Sequence, residues 1–489
     1  MPLSCHRKTI SASVRVCAAI LLGLAITGCS TAVLNTELGK SSLGSDYDFQ
    51  SRLPDNDDRL FVVLAFSGGG TRAAALSYGV LDALRQEQIM LGDQQYRLLD
   101  QVDVISTVSG GSYTAAYYGL FGDRLFEDFR ERFLLRNWPR TYGWMLANPF
   151  NMARIASTSF NRSDLMAGFL DKEIFDGKTF ADLSLGPLPF VIINATDINN
   201  SLTFSFIQQQ FDLLCSDLNT YPVSRAVMAS SMVPPAFAPL RLRNYSGCDA
   251  KSKPWIKKAL KDRNLLSREF AVAQGVSRYS EQEEMPYLNL ADGGITDNIG
   301  VRGSMMSPIA HRGNVQNMTG AFSEAALSNV EQVLVVLVNA QVFPPYPWAV
   351  AGDEPGAIDT LEASFDAAFN TLTTENIAQA RREFLAWGAN INAQRSPEQP
   401  EVSVHFATLT FNQVEDADRR TKYNALPTAA LDGKQVDALA ALGAELLQQS
   451  ETYQRFLEEV ARLGSQSLKT EIRPIFTDIP GTNSSVSDL

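Results

Sequence analysis

The sequence predicts an α/β protein of three layers, with helices on both sides of a central, mostly parallel sheet. Three observations carry that expectation. Apolar runs of strand length alternate with segments of helical spacing along much of the chain. The run "VEQVLVVLVNA" (Val330 to Ala340) is apolar and β-branched throughout, as a parallel strand buried on both faces requires. Two further runs stop abruptly at glycine-bearing junctions that lead into helix-like stretches, "VVLAFSGGGTRAAAL" from Val62 and "DVISTVSGGSYTAAYYG" from Asp103.

The first residues, "MPLSCHRKTISASVRVCAAILLGLAITGCS", read as an export signal. Arg7, Lys8 and Arg15 form a positive start and Val16 to Ile26 an apolar run too short for an ordinary membrane span. Ile26-Thr27-Gly28-Cys29 resembles a bacterial lipobox. That resemblance implies a signal peptide over 1–28, lipid on Cys29 and, with Ser30 next, an outer-membrane address in the cell envelope. Residues 29–58 are polar and read as a tether.

The first strand is expected at Leu60 to Phe66 and its helix at Arg72 to Gln86. A second strand follows at Val102 to Val108, with a helix over Ser112 to Leu120. "LPFVIINATD" (Leu188 to Asp197) and "LTFSF" (Leu202 to Phe206) read as strands. These elements and the run ending at Ala340 define a domain over 59–340. Residues 341–473 read as a mainly helical extension with one strand at Val402 to Phe411, and 474–489 as a disordered tail.

Composition narrows the function. The chain has 42 Lys and Arg against 54 Asp and Glu, a net charge of −12, which argues against nucleic-acid binding. No later stretch reaches the roughly 20 apolar residues of a membrane span, so the expectation is tethering rather than insertion. With His311 and His405 the only histidines beyond the signal, a histidine-rich zinc site is excluded and no metal or cofactor is expected. Besides Cys29, the exported chain keeps Cys215 and Cys248, which in an oxidising compartment are expected to pair. Two buried free thiols are the alternative.

The run Ser67-Gly68-Gly69-Gly70 sits where a strand meets a helix. Glycines there expose backbone N–H groups at a positive dipole end, a place for negative charge. Two readings fit it. Gly68 to Ala73 matches G-x-G-x-x-A, a dinucleotide fingerprint. The same loop could be an oxyanion hole. Export weakens the first reading, and Asp93 is the only acidic partner near the required spacing, with nothing marking it as a strand end.

Ser109 occupies a second strand-to-helix turn, in Thr107-Val108-Ser109-Gly110-Gly111, a G-x-S-x-G elbow whose first glycine is Thr107. Asp292 follows Leu288 to Ala291 and precedes Gly293-Gly294. Each piece alone could be an ordinary turn. In this order, Ser-Gly-Gly-Gly-x-Arg, x-x-Ser-Gly-Gly and Asp-Gly-Gly resemble the patatin-like phospholipase family. "VIINATDINNSLTFSF" and "SRAVMASSMVPPAFAPL" (Ser224 to Leu240) look like further blocks of that family, so the resemblance covers about Arg59 to Ala340.

The resemblance implies a patatin-like α/β/α fold and a Ser–Asp dyad acting on acyl esters of membrane lipids. Ser109 would be the nucleophile and Asp292 its base. The oxyanion hole would come from Gly68, Gly69, Gly70 and Gly110, with Gly69 and Gly70 foremost. Arg72 would fix the loop or favour an anionic head group, and Gly111, Gly293 and Gly294 would support the turns. Thr107 is expected to crowd the elbow, whereas Ala73 stays small enough for tight helix packing. A retired, non-catalytic envelope lipoprotein that binds lipid or a partner is the rival reading. The aromatic stretch from Phe129 to Phe160 reads either as a cap over a lipid cleft or as core. The basic island Lys251 to Asn264 reads either as a lipid-facing stripe (Trp255, Ile256, Ala259, Leu260) or as a helix packed on the core.

Overall fold

The computed structural model describes residues 35–39, 47 and 56–471, except for 158–159, 185–187, 235, 246–247, 249–252, 305, 307, 310–328, 344–345, 347, 350–351 and 353. Cys29, His311, the expected signal and the expected tail lie outside the described residues.

The main sheet has eight strands: β1 (Leu60–Phe66), β2 (Val102–Val108), β3 (Phe190–Asp197), β4 (Leu202–Ser205), β5 (Leu240–Arg243), β6 (Tyr287–Ala291), β7 (Gln332–Asn339) and β8 (Ser403–Thr410). Their order is β8-β7-β1-β2-β3-β6-β5, with β4 paired to β3. The five strands from β8 to β3 are parallel, and β4, β5 and β6 join antiparallel. Every residue of β1, β2, β3 and β7 is buried, so helices cover the sheet on both faces. This is the three-layer arrangement expected. Strand β5, "LRLR", has the buried–exposed alternation of a one-sided edge strand and is too short to stand out by period alone.

Helices packed around the sheet include α1 (Gly70–Gln86), α2 (Gly110–Phe121), α3 (Trp138–Ala147), α4 (Pro149–Ile155), α5 (Val223–Ser230), α6 (Pro254–Asp262), α7 (Ala357–Gln394), α8 (Gly433–Gln449) and α9 (Glu451–Glu471). Helices α8 and α9 are separated at Ser450, whose backbone is extended.

The C-terminal part is built into the same body. β8 pairs with β7 over its full length. Helix α8 crosses α1 where both carry glycine: a Cβ on Gly79 would stand 1.9 Å from the Ala440 carbonyl, and one on Gly443 2.4 Å from that of Leu76. The backbones can meet so closely only because neither position has a side chain. The stretch read as a tether is also held in part. Thr36–Glu37 pairs with Ser216–Asp217, and Tyr47 is fully buried with its hydroxyl on the Val191 carbonyl, 2.7 Å.

Cys215 and Cys248 are bonded, with Cα atoms 5.7 Å apart. The bridge closes a loop of 33 residues that contains α5. In the chain-entropy account such a closure stabilises by roughly 3–4 kcal/mol. Helix α6 carries the basic island. Its Ile256 is buried, and Trp255, Ala259 and Leu260 pack against the core, so the stripe faces the protein. The aromatic stretch divides. Phe129, Phe133, Trp138 and Phe160 are buried, whereas Trp144, Phe150 and Met152 on α3 and α4 are largely exposed.

Candidate active site

Register brings the expected site together. In parallel strands β2 and β3, Val108 stands opposite Asn194. In antiparallel strands β3 and β6, Ala291 stands opposite Thr196. The next residues, Ser109 and Asp292, therefore reach the same level, on either side of β3. The β1–α1 glycine loop emerges beside them, because β1 and β2 are parallel neighbours. Loops at the carboxyl ends of adjacent parallel strands converge on one crevice.

Ser109 adopts φ 48°, ψ −120°, a backbone conformation that L-residues avoid and that costs about 1–3 kcal/mol. Its neighbours hold it there. The Ser109 N–H donates to Ser230 Oγ at 2.7 Å, and Ser230 Oγ donates to the Asn194 carbonyl at 2.6 Å. Ser112 Oγ lies 3.1 Å from Ser230 Oγ. Helix α5, which carries Ser230, is itself fixed by the buried Arg225–Asp164 ion pair at 2.8 Å and by Ser224 Oγ on Asp171 at 2.8 Å.

Thr107 causes no crowding. It is an extended, fully buried strand residue, and its hydroxyl approaches Ser112 Oγ at 3.5 Å. A β-branched residue is at home in a strand, and the sharp turn falls two residues later.

Ser109 Oγ donates to Asp292 Oδ2 at 2.9 Å. The other carboxylate oxygen, Oδ1, accepts the Gly294 N–H at 2.7 Å. Asp292 is 5% exposed, and burial raises its pKa to about 6, against the opposing pull of the Gly294 and Ser109 hydrogen bonds. Gly293 donates to the Ser230 carbonyl at 3.1 Å, and Gly111 to that of Ser67 at 3.2 Å, so both serve to pin their turns.

The glycine loop needs one correction. Gly68 N–H donates to the Asn298 carbonyl at 3.0 Å and is not available as an oxyanion donor. The N–H groups of Gly69, Gly70 and Gly110 have no acceptor among the described residues, and all three residues line the cleft that contains Ser109. A Cβ on Gly110 would stand 2.1 Å from the Gly70 carbonyl, so the two loops touch only because Gly110 has none. Gly70 itself has φ +61°.

Arg72 is 4% exposed. Its Nε and Nη1 donate to the carbonyls of Ala340 at 3.1 Å and Leu426 at 2.7 Å. Burial draws its pKa down to about 10, with Asp366 acting in the opposite direction through space. Arg72 therefore fixes the loop and also contributes to the cleft wall.

The cleft has a volume of about 480 Å³. One wall is aromatic and apolar: Tyr113 stacks on Phe133 at 4.4 Å, Phe133 lies 4.8 Å from Trp138, and Met166 and Phe237 complete it. The second wall comes from beyond residue 340, through Gln341, Asp366, Phe369, Asn370 and Thr428. The Thr428 carbonyl accepts the Thr71 N–H at 2.7 Å, which ties this wall to the glycine loop.

His405 is remote from this chemistry. It pairs with Leu334, which pairs with Val62, which pairs with Val102 at the start of β2. Six residues of strand separate that level from Val108, about 20 Å. Its Nε2 lies 3.0 Å from Gln332 Oε1 and 3.2 Å from Glu459 Oε2. Asp93 sits in the turn of a small hairpin, Gln88–Leu91 with Gln94–Arg97, and forms no part of the cleft. Among the described residues, no group of three or more His, Cys, Asp or Glu could hold a metal ion.

Residues 64–304 match the family model for patatin-like phospholipase. That segment is similar to the patatin-like phospholipase family. The matched segment holds the glycine loop, Ser109, Ser230 and Asp292, and ends before β7, β8 and the second wall of the cleft. No curated protein sequence matches the chain. Among solved structures, human GIVD cytosolic phospholipase A2 aligns with a TM-score of 0.39 at 14% identity, over 94% of this chain and 67% of that one. The same enzyme in complex with methyl gamma-linolenyl fluorophosphonate gives 0.38 at 14% identity, over 94% and 65%. VipD from Legionella pneumophila gives 0.27 at 10% identity, over 89% and 73%. The chain thus spans about two thirds of the length of the phospholipase A2 structures.

Sequence reasoning missed the roles of Ser230, Asn194 and Asn298, and the cleft residues beyond 340. Ser230 stood within "MASSMVPP", but nothing local told which of two adjacent serines turns inward. Asp366 and Asn370 belong to a long helix whose polar positions all look alike in sequence.

Proposed function

We propose that the protein is a lipid acyl hydrolase that works through a Ser109–Asp292 dyad. The observation that carries this reading is the 2.9 Å hydrogen bond from Ser109 Oγ to a buried carboxylate, beside three unengaged backbone N–H groups. Ser109 Oγ attacks the ester carbonyl carbon as Asp292 takes its proton. The carbonyl oxygen becomes an oxyanion and accepts from Gly69, Gly70 and Gly110, donors worth about 3–4 kcal/mol each in other hydrolases. The C–O bond to the leaving alcohol breaks, and Asp292 returns the proton to that oxygen. Water then attacks the acyl-enzyme with Asp292 again as base, releasing the fatty acid and restoring Ser109.

An aspartate is ordinarily a weak base. Here burial moves its pKa towards neutrality, and direct contact with Oγ supplies the geometry. The apolar wall suits an acyl chain. Lipid mass spectrometry on defined phospholipids tests the reading: the wild type should release fatty acid and lysolipid, and Ser109→Ala neither. Equal product from both would overturn it, and no product from either would favour a retired scaffold.

The same reading places the enzyme at the bacterial envelope, anchored by lipid on Cys29. The support is the Ile26-Thr27-Gly28-Cys29 sequence at the end of an apolar run. Fatty-acid labelling of wild type and Cys29→Ala, with fractionation, tests the anchor. Equal membrane association without label in either would refute it.

A further inference from the structure

The second wall of the cleft lies outside the matched family segment and differs in chemistry from the first. Among the described residues, Asp366 is its only carboxylate. It is half-buried on α7 and lines the cleft. The Tyr346 hydroxyl donates to its Oδ2 at 2.8 Å, which fixes the carboxylate without neutralising it. No ion pair joins Asp366 to a cation among the described residues. Two aromatic residues are placed beside it, Tyr346 through that hydrogen bond and Phe369 on the same helix. Tyr346 stacks on Trp348 with ring centroids 4.9 Å apart, and Phe369, nearly one turn along α7, lines the cleft and stacks on Phe365 at 6.1 Å. A fixed carboxylate among aromatic faces is the environment that binds alkylammonium groups, through charge and cation–π attraction together.

The opposite charge is present in the same cleft. Arg72 is held by two carbonyls rather than by a carboxylate, and Asp366 reaches it only through space. Pairing the two would have cancelled both. Kept apart, they offer one fixed positive and one fixed negative charge in the same cleft. That pattern matches a phosphate followed by an ammonium.

Resting on the hydrolase reading, we propose that residues beyond 340 form a head-group subsite for a zwitterionic, ammonium-bearing phosphodiester, with Asp366 facing the ammonium and Arg72 on the phosphate side. The acyl chain then lies along the Tyr113–Phe133–Trp138 wall, and the ester between the two walls meets Ser109. Asp366 is a specificity-determining residue in this arrangement. It selects choline or ethanolamine phospholipids over anionic ones such as phosphatidylglycerol, whose head group would meet an uncompensated carboxylate.

Two measurements test the subsite. The first compares kcat/KM for phosphatidylcholine and phosphatidylglycerol of equal acyl composition in detergent micelles. Wild type should favour the choline lipid by about tenfold. Asp366→Asn should abolish most of that ratio, chiefly through KM, and Asp366→Lys should invert it. An unchanged ratio in both variants, each folded by circular dichroism, would overturn the subsite and leave the hydrolase reading standing. The second titrates full-length Ser109→Ala with glycerophosphocholine and glycerophosphoglycerol by NMR. Binding of the first only, lost on adding Asp366→Asn, supports the subsite independently of whether the wild type turns lipid over. If the wild type hydrolyses nothing while this binding holds, the hydrolase reading falls and the subsite survives. Equal or absent binding of both ligands would overturn the subsite.

Discussion

The Ser230 hydroxyl accepts the backbone N–H of Ser109 at 2.7 Å and donates onward to the Asn194 carbonyl at 2.6 Å. One buried side chain thus links the strained turn of the nucleophile to the strand that separates it from Asp292. The link explains how a residue at φ 48° is kept in place without glycine.

Replacing Ser230 by alanine should therefore leave the Ser109 N–H and the Asn194 carbonyl short of a partner. The expected stability loss is about 1–3 kcal/mol by urea unfolding. Because the hydroxyl positions Ser109 and does not line the cleft, kcat should fall about ten- to a hundredfold with KM little changed. A loss confined to KM would contradict the positioning role.

With Asp292 as the proposed base, its ionisation should set the pH dependence. The base must be ionised, so kcat/KM should rise as pH passes through about 6 and level off above it. The same shift has a stability consequence. The folded pKa lies above the ordinary 3.8, so the folded state favours the neutral carboxyl. That contribution is fully present below pH about 3.8 and is lost as pH rises through about 6. Above that, the buried charge costs on the order of 2–3 kcal/mol. Asp292→Asn should accordingly be inactive yet more stable than the wild type at pH 8, and their melting temperatures should converge at low pH. Thermal unfolding across pH checks both signs.

Gly110 permits the contact between the nucleophile turn and the glycine loop. Gly110→Ala would put a methyl group 2.1 Å from the Gly70 carbonyl and push the two loops apart. Loss of one oxyanion donor in other hydrolases costs about 10²–10³ in kcat. A fall of that size, in a protein that still unfolds cooperatively, is the expected result. Wild-type kcat would show that Gly110 and Gly70 can separate without harm.

The fold was legible where one element's needs are visible in its own residues. β1 and the middle of β7 are apolar because both faces are covered, and the boundaries of β1, β2 and β7 in sequence fall within two residues of those in the structure. The positions of Ser109, Asp292, Gly69, Gly70 and Gly110 at strand-to-helix turns were legible for the same reason. What sequence could not supply was which groups are already engaged. Gly68 reads like its neighbours until Asn298, 230 residues on, takes its N–H. The union of the C-terminal region with the cleft was equally hidden. It depends on Gly79 and Gly443 meeting between α1 and α8, and on Thr428 reaching Thr71, contacts with no local signature.

In the proposed mechanism Ser109 is activated by Asp292 alone, with no histidine. The register that leaves His405 about 20 Å below the cleft supports it. Hydrolysis rates on one phospholipid for Ser109→Ala, Asp292→Asn, His405→Asn and His311→Asn, each shown to be folded, test it most directly. Near-complete loss is expected for the first two and wild-type turnover for both histidine variants. A histidine variant that falls as far as Ser109→Ala while remaining folded would contradict the dyad and put a triad in its place.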